Sequence, residues 1–255
     1  MPTRTRNAGE ICWINMLTPT PEAAKAFFGE LFGWTFKDMA GLGYVVRLEG
    51  RDIGGMFDLH GMNTPKGATA GFSVMVKVAD ADATGARVKE LGGSAKEAFD
   101  IMTQGRMAVC HDPLGAEFDL WQPNRMQGFD VDPRLHGAPT AFETITSDTA
   151  RATAFYEALF GWDSDTKTMP GGDDYTTFSL NGIKVAGLMA IPPGTSLLSH
   201  WGVYFTVRNV DETVQKAVQL GGNLCVPVRD IPGVGRFCGV ASPQGVICYP
   251  LQHAQ

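Results

Sequence analysis

Three carboxylates in this chain stand where proton chemistry is open to them: Glu117 and Asp119, two residues apart, and Glu143. Strand alternation puts Glu117, Asp119 and Trp121 on one face and Phe118 and Leu120 on the other. Two carboxylates on one face repel, which raises the pKa of one and suits it to proton transfer near neutral pH. Lys77, expected on the same face, would oppose that by favouring the charged form, and an ion pair at a rim is the plainer reading. Glu143 has apolar neighbours, so burial would make it the better general base. Asp119 and Glu143 are therefore the candidate catalytic residues. His111 and His200 sit at strand ends, where each could reach a ligand or cap a strand. His60, His136 and His253 fall in a loop, a linker and the tail, where solvation is expected. Cys12, Cys110, Cys225, Cys238 and Cys248 are odd in number and form no C-x-x-C pair, which argues against a disulfide framework and a thiolate zinc site. Reduced, buried thiols in a cytosol are expected.

The elements that must hold these residues occur twice. Ala-Phe-Phe-Gly-Glu-Leu-Phe-Gly-Trp at 26–34 returns as Ala-Phe-Tyr-Glu-Ala-Leu-Phe-Gly-Trp at 154–162, and Leu91-Gly92-Gly93, Gly105-Arg106 and Pro113-Leu114-Gly115 each return about 130 residues later. Within each copy the order is strand, helix, then strands, and a second, diverged round repeats it. Thr20-Pro21-Glu22 opens the first helix with a capping hydroxyl and a first-turn proline, and Gly33 ends it. Asp80, Asp148 and Asn209 are placed to cap the others. A strand is expected near Ala95 to Phe99. Residues 1–123 form a first domain and 140–255 a second, joined by an aperiodic linker over 124–139 that holds Gly128, Pro133, Gly137 and Pro139. The fold class is α+β: two tandem domains, each of two β-α-β-β-β modules.

Composition excludes several roles. The 255 residues, 44% hydrophobic and 19% charged with a net charge of −6, read as globular, and the 21 Lys and Arg residues are scattered, so nucleic acid is not an expected partner. No apolar run approaches the roughly 18 residues of a membrane span. The N-terminus has arginines but no apolar stretch behind them, unlike a Sec-type signal. A cytoplasmic protein is expected.

The repeated helix motif, the segments at 78–93 and 207–222 that end in Leu-Gly-Gly, and the late Pro-x-Gly turns resemble the vicinal oxygen chelate superfamily of glyoxalases, bleomycin-resistance proteins and dioxygenases. The resemblance covers nearly the whole chain and is closest to tandem-domain members labelled glyoxalase-like or hydroxylase. It implies curved sheets that wrap into open cups with helices outside. Alternation then gives the first cup Trp13, Asn15, Ser73, Met75, Lys77, Glu117, Asp119 and Trp121, and the second Glu143, Tyr204, Thr206 and Tyr249, among more apolar neighbours. Apart from the two candidate acids, these are the expected ligand-binding residues, with Trp13 and Trp121 stacking on a planar ligand. Trp34 and Trp162 are expected in the core.

Metal-dependent members of the superfamily take ligands from the first and last strands of modules. Counted from the motifs, those slots fall at Trp13, near Gly54, at Ser73 and at Asp119, and at Ala141, near Gly187, at Gly202 and at Tyr249. One carboxylate among them leaves no divalent metal site expected, since a catalytic site takes about three protein ligands. A register shift of two residues would bring in Asn15, Glu143 or His200. Three readings follow: a binding protein for a small organic molecule, an enzyme using a cup carboxylate or a displaced metal site, and an interaction or antigen protein with vestigial cups. A homodimer stays open.

Overall fold

The computed structural model describes residues 6–62, 64, 67–169 and 172–254. Part of the arginine-bearing N-terminus, residues 1–5, lies outside them. The first copy runs β1 (Ile11–Thr18), α1 (Pro21–Phe32), β2 (Thr35–Asp38), β3 (Tyr44–Leu48), β4 (Arg51–Asp58), then β5 (Gly71–Lys77), α2 (Ala81–Glu90), β6 (Ser94–Ala95), β7 (Phe99–Ile101), β8 (Gly105–His111) and β9 (Glu117–Pro123). The second runs β10 (Pro139–Thr146), α3 (Thr149–Phe160), β11 (Asp163–Thr168), β12 (Asp174–Leu180), β13 (Ile183–Ala190), then β14 (His200–Thr206), α4 (Val210–Gln219), β15 (Asn223–Ile231), β16 (Gly235–Ala241) and β17 (Ile247–His253). The strand expected near Ala95 to Phe99 is broken into β6 and β7, which pair separately with β8.

Asp80, Asp148 and Asn209 cap their helices by accepting from the backbone N–H of Ala83, Arg151 and Glu212. Thr20 does not, because its hydroxyl makes no capping bond; Pro21, which has no N–H to satisfy, starts α1 without one. Gly33 and Gly161 close α1 and α3 in the left-handed conformation.

Each copy folds as one sheet, in the order β2-β3-β4-β1-β5-β9-β8-β6 and β11-β12-β13-β10-β14-β17-β16-β15. Its two modules join through their first strands: β1 runs parallel to β4 and antiparallel to β5, and β10 stands likewise between β13 and β14. Modules therefore pair within a copy, and each sheet curls into a half-barrel with a concave face.

The convex faces carry Ile14, Val74, Val76, Phe118 and Leu120, all almost fully buried. Between the sheets the helices interlock. Phe32 and Trp34 lie 5.1 Å from Phe205 on β14, while Phe118 on β9 packs on Tyr156 and Phe160 of α3 at 6.0 Å. Trp34 donates its indole N–H to the Gly137 carbonyl and Trp162 to the Gly9 carbonyl, each at 2.8 Å, so each copy grips the strand that leads into the other. Gly137 must be glycine: its φ is +85°, and a Cβ would strike the Phe32 carbonyl. Trp34 and Trp162 are core residues, 4% and 3% exposed. The linker is packed as well. Phe129 and Val131 are buried, the Phe129 N–H donates to the Cys12 carbonyl at 2.8 Å, and its ring stacks on Phe142. Four of the cysteines are buried, but Cys225 is exposed at a β-bulge in β15, where an added residue turns out of the ladder.

Candidate functional site

On the concave face of the first sheet three side chains converge. β1 pairs Asn15 with Gly55 and Ser73, and β5 pairs Met75 with Asp119. Asn15 Nδ2 and Ser73 Oγ both donate to Asp119 Oδ2 at 3.0 Å. Asp119 is 3% exposed, and burial, reinforced by the charge of Glu117, pushes its pKa up to about 7 against those two hydrogen bonds. Lys77 does not oppose this. Its Nζ turns to the Gln127 side chain at 3.0 Å, because the linker passes over that end of the cup.

The second cup places Glu143 where the first has Asn15, paired with Gly187 and Gly202. Glu143 is 5% exposed, and Tyr204 donates to its Oε1 at 2.9 Å. Burial raises its pKa, opposed by the hydroxyls of Tyr204 and Tyr175 and the charge of Lys184. Tyr204 stacks on Tyr249 at 4.9 Å and packs on Phe237 at 5.8 Å, so the carboxyl sits among rings.

The glycines explain part of this arrangement. A Cβ at Gly55 would meet the Phe57 ring at 2.7 Å and Asn15 Oδ1 at 2.8 Å; one at Gly187 would strike the Tyr175 hydroxyl, and one at Gly202 the Tyr249 ring at 2.8 Å. Rings thus occupy the space that side chains on β4, β13 and β14 would take. Phe57 and Tyr175 escaped sequence reasoning, although a glycine inside a strand signals close approach by another group.

The strand positions that meet in each cup are therefore Asn15, Gly55, Ser73 and Asp119, and Glu143, Gly187, Gly202 and Tyr249. This corrects the first-strand slots placed at Trp13 and Ala141: the residues that meet there, Asn15 and Glu143, lie two positions further along than the count from the helix motif gives, an offset that leaves the face unchanged. Among the described residues no three His, Cys, Asp or Glu side chains gather where they could hold a metal ion.

One end of each cup is shut by the linker. Trp121, 1% exposed, donates its indole N–H to the Met126 carbonyl at 2.8 Å and covers Gly105, so it does not offer the stacking face expected of it. Trp13 is 7% exposed on the same side of the sheet. Thr206, an expected ligand contact, donates to the Pro133 carbonyl at 2.6 Å and pairs with His253 Nε2 at 3.0 Å. His253 stays exposed while its ring is held by Thr206, and His136 is half-buried, 3.1 Å from the Leu31 carbonyl.

The other ends open on a groove of about 560 Å³ where the copies meet. Ser73, Glu117 and His111 reach it from the first copy; His200, Ile247 and Tyr249 reach it from the second. His111 Nε2 lies 3.4 Å from Glu117 Oε2, and that contact raises the imidazole pKa against burial and the nearby Lys96. Asn15, Ser73, Met75 and Glu117 are thus gathered around or beside Asp119, and Tyr204 and Tyr249 around Glu143, while Trp121, Lys77 and Thr206 serve the closed ends.

Paired β-α-β-β-β modules whose sheets curl around a concave face define a class of small-molecule-binding and enzyme folds. Residues 13–121 match the glyoxalase-like domain and residues 140–247 the glyoxalase/bleomycin resistance protein/dioxygenase superfamily, and the chain belongs to that superfamily. It is 33% identical to the putative glyoxylase CFP32 of Mycobacterium tuberculosis over 100% of this chain and 99% of that one. The anthracycline biosynthesis protein DauV of a Streptomyces species is 30% identical over 93% of this chain and 90% of its own. Among solved structures, 2,2',3-trihydroxybiphenyl 1,2-dioxygenase of Sphingomonas wittichii superposes with a TM-score of 0.67 at 15% identity, covering 98% of this chain and 92% of that one. The Mn(II)-bound glyoxalase of Novosphingobium aromaticivorans gives 0.66 at 13%, covering 100% and 84%. These two likenesses concern the fold.

Proposed function

We propose that this protein binds a small, planar, oxygenated organic molecule in its cups without the divalent metal that relatives of this fold such as the Mn(II)-bound glyoxalase carry. The observation that carries the reading is the set of convergent positions: each set holds one carboxylate, already engaged by Asn15 and Ser73 or by Tyr204, and a glycine overlain by Phe57 or Tyr175. That donor set does not fit an open divalent site, which takes about three protein ligands. Buried polar groups among aromatic walls are instead what fixes a flat ligand with hydroxyl or carbonyl groups. The relation to an anthracycline biosynthesis protein supports a place among small-molecule proteins. Unpaired thiols at Cys12, Cys110, Cys225, Cys238 and Cys248 suit a reducing cytosol. No described helix is long and apolar enough to cross a membrane.

Calorimetric titration with a panel of phenolic acids, with and without chelator, tests the reading, alongside elemental mass spectrometry of protein purified without chelator from metal-replete cells. Binding unchanged by chelator and sub-stoichiometric metal are expected. One divalent ion per chain, with binding lost on chelation, overturns the metal-free part.

A second reading, acid-base catalysis, rests on Asp119. A carboxyl with a pKa pushed up to about 7 can hold and release a proton near neutral pH, and its hydrogen bonds from Asn15 and Ser73 fix its orientation. Asp119→Asn would then lower kcat by two orders of magnitude or more. Glu143→Gln is the matching test of the second cup. Unchanged turnover in either removes that residue from the catalytic role.

A further inference from the structure

The two cups are not separate pockets. Ser73, which holds Asp119, and Tyr249, which stacks on the ring that holds Glu143, line the same groove, so each buried carboxyl lies one side chain behind a shared wall. Phe72 and Trp201 also line the groove, and Phe72 packs on Phe205 at 5.3 Å where β5 approaches β14. A groove of about 560 Å³ falls within the range of pockets that take drug-sized ligands and leaves room for more than one ring.

The groove's polar groups indicate what that ligand carries. Lys96 and His111 stand together on the first copy's side; the Glu117 carboxylate is there too, engaged with His111 at 3.4 Å. That cluster favours an anionic group at this end. On the other side, His200 Nδ1 lies 2.8 Å from the Leu198 carbonyl. A carbonyl only accepts, so Nδ1 bears a proton, which leaves Nε2 to pair with a phenolic oxygen group.

We propose that the cups share one binding site, and that it takes a single elongated, polycyclic aromatic anion bearing phenolic groups, seated across the boundary between the copies with Ser73 at one end and Tyr249 at the other. The inference rests on the small-molecule reading above and deepens it.

Pseudo-symmetry supplies the test. Gly71, paired with Leu17, and His200, paired with Ile145, occupy corresponding places at the two mouths. A Cβ at Gly71 meets no atom within 4 Å and its φ is not positive, so Gly71→Phe projects a ring into the groove without backbone strain. Alizarin sulfonate, a planar tricyclic anion with phenolic groups, and salicylate, a one-ring acid, are titrated calorimetrically into wild type, Gly71→Phe and His200→Ala. Unchanged thermal unfolding shows that the variants are folded. The expected result is one alizarin sulfonate per chain, with each variant alone weakening that single event at least tenfold. Two events per chain, with each variant removing one, would overturn the shared site while leaving cup binding in place. Salicylate binding without alizarin sulfonate binding has the same meaning. Binding of neither overturns cup binding along with the shared site.

Discussion

The two cups are built on one register and hold opposite chemistry. Asn15, Ser73 and Asp119 of the first copy correspond to Glu143, Gly202 and Tyr249 of the second, so the acid has moved from the last strand of the cup to its first. In the first cup an amide and a hydroxyl donate to the carboxyl; in the second a phenol does, within a stack of rings. Duplication has kept the backbone pairing, and that pairing alone brings a cross-strand acid and its donor together. Which strand supplies the acid then decides what surrounds it. A buried acid with only two neutral donors loses more hydration than they return, and so its pKa rises.

The largest test of the difference is the pH dependence of stability. Asp119 has its folded pKa pushed up to about 7 from an ordinary 3.8. Between those values the folded chain keeps a proton that the unfolded chain has released. The contribution of Asp119 is therefore fully present below about pH 4, falls as pH rises, and is lost above about pH 7, a change on the order of 4 kcal/mol. Asp119→Asn, followed by urea denaturation across that range, should flatten this part of the profile. Glu143→Gln should act in the same direction, since burial raises that group too. A wild-type slope unchanged in Asp119→Asn would mean that the acid is hydrated and that the first cup is open to water at that point.

Next in size is the packing of rings over glycines. Gly187→Ala puts a methyl group onto the Tyr175 hydroxyl and should destabilise the chain by about 1–3 kcal/mol, because the half-buried Tyr175 ring must move aside to admit it. A Cβ at Gly55 meets the Phe57 ring and the Asn15 amide at 2.7 and 2.8 Å, less closely than one at Gly187 meets the Tyr175 hydroxyl, so the cost of Gly55→Ala should be smaller. Equal costs would show that the first cup is packed as tightly as the second.

The repeat, three of the four helix caps and the inward-facing carboxylates were legible in the sequence, because each is written in local spacing, whereas the Thr20 hydroxyl makes no cap. Asp80, Asp148 and Asn209 cap as their positions demand, and the alternation of Glu117, Asp119 and Trp121 sorts faces correctly. Three things were not legible. The two-residue offset of the first-strand positions, Asn15 and Glu143 rather than Trp13 and Ala141, has no signature in residue type, because alternation repeats every two residues. The linker's grip on Trp121, Lys77 and Thr206 depends on Met126, Gln127 and Pro133, whose partners lie far away or use backbone atoms alone. Tyr175 enters its cup from β12, a strand that a ligand-slot count never visits, and Phe57 enters from β4 beyond the slot near Gly54. Alternation assigns a face but says nothing of which end of that face is covered.

Asn15 gives an intermediate effect. Asn15→Ala removes one of the two donors to Asp119 and should cost about 1–2 kcal/mol above neutral pH, with a smaller loss under acid conditions where the carboxyl is protonated. That difference with pH separates loss of the donor from loss of packing, which would cost the same at either pH.

The smallest predicted effects concern the closed ends. Trp121→Phe removes the N–H bond to the Met126 carbonyl, and Thr206→Val removes the bond to the Pro133 carbonyl and the contact with His253. Each should cost about 1 kcal/mol in urea denaturation. The two anchors lie on different sheets and hold different parts of the linker, so the costs should add in the double variant. Additive losses would mean that the linker closes each cup separately. A shortfall in the double variant beyond about 0.5 kcal/mol would mean that releasing either anchor frees the whole segment, and that the closed end of one cup is held partly by the other.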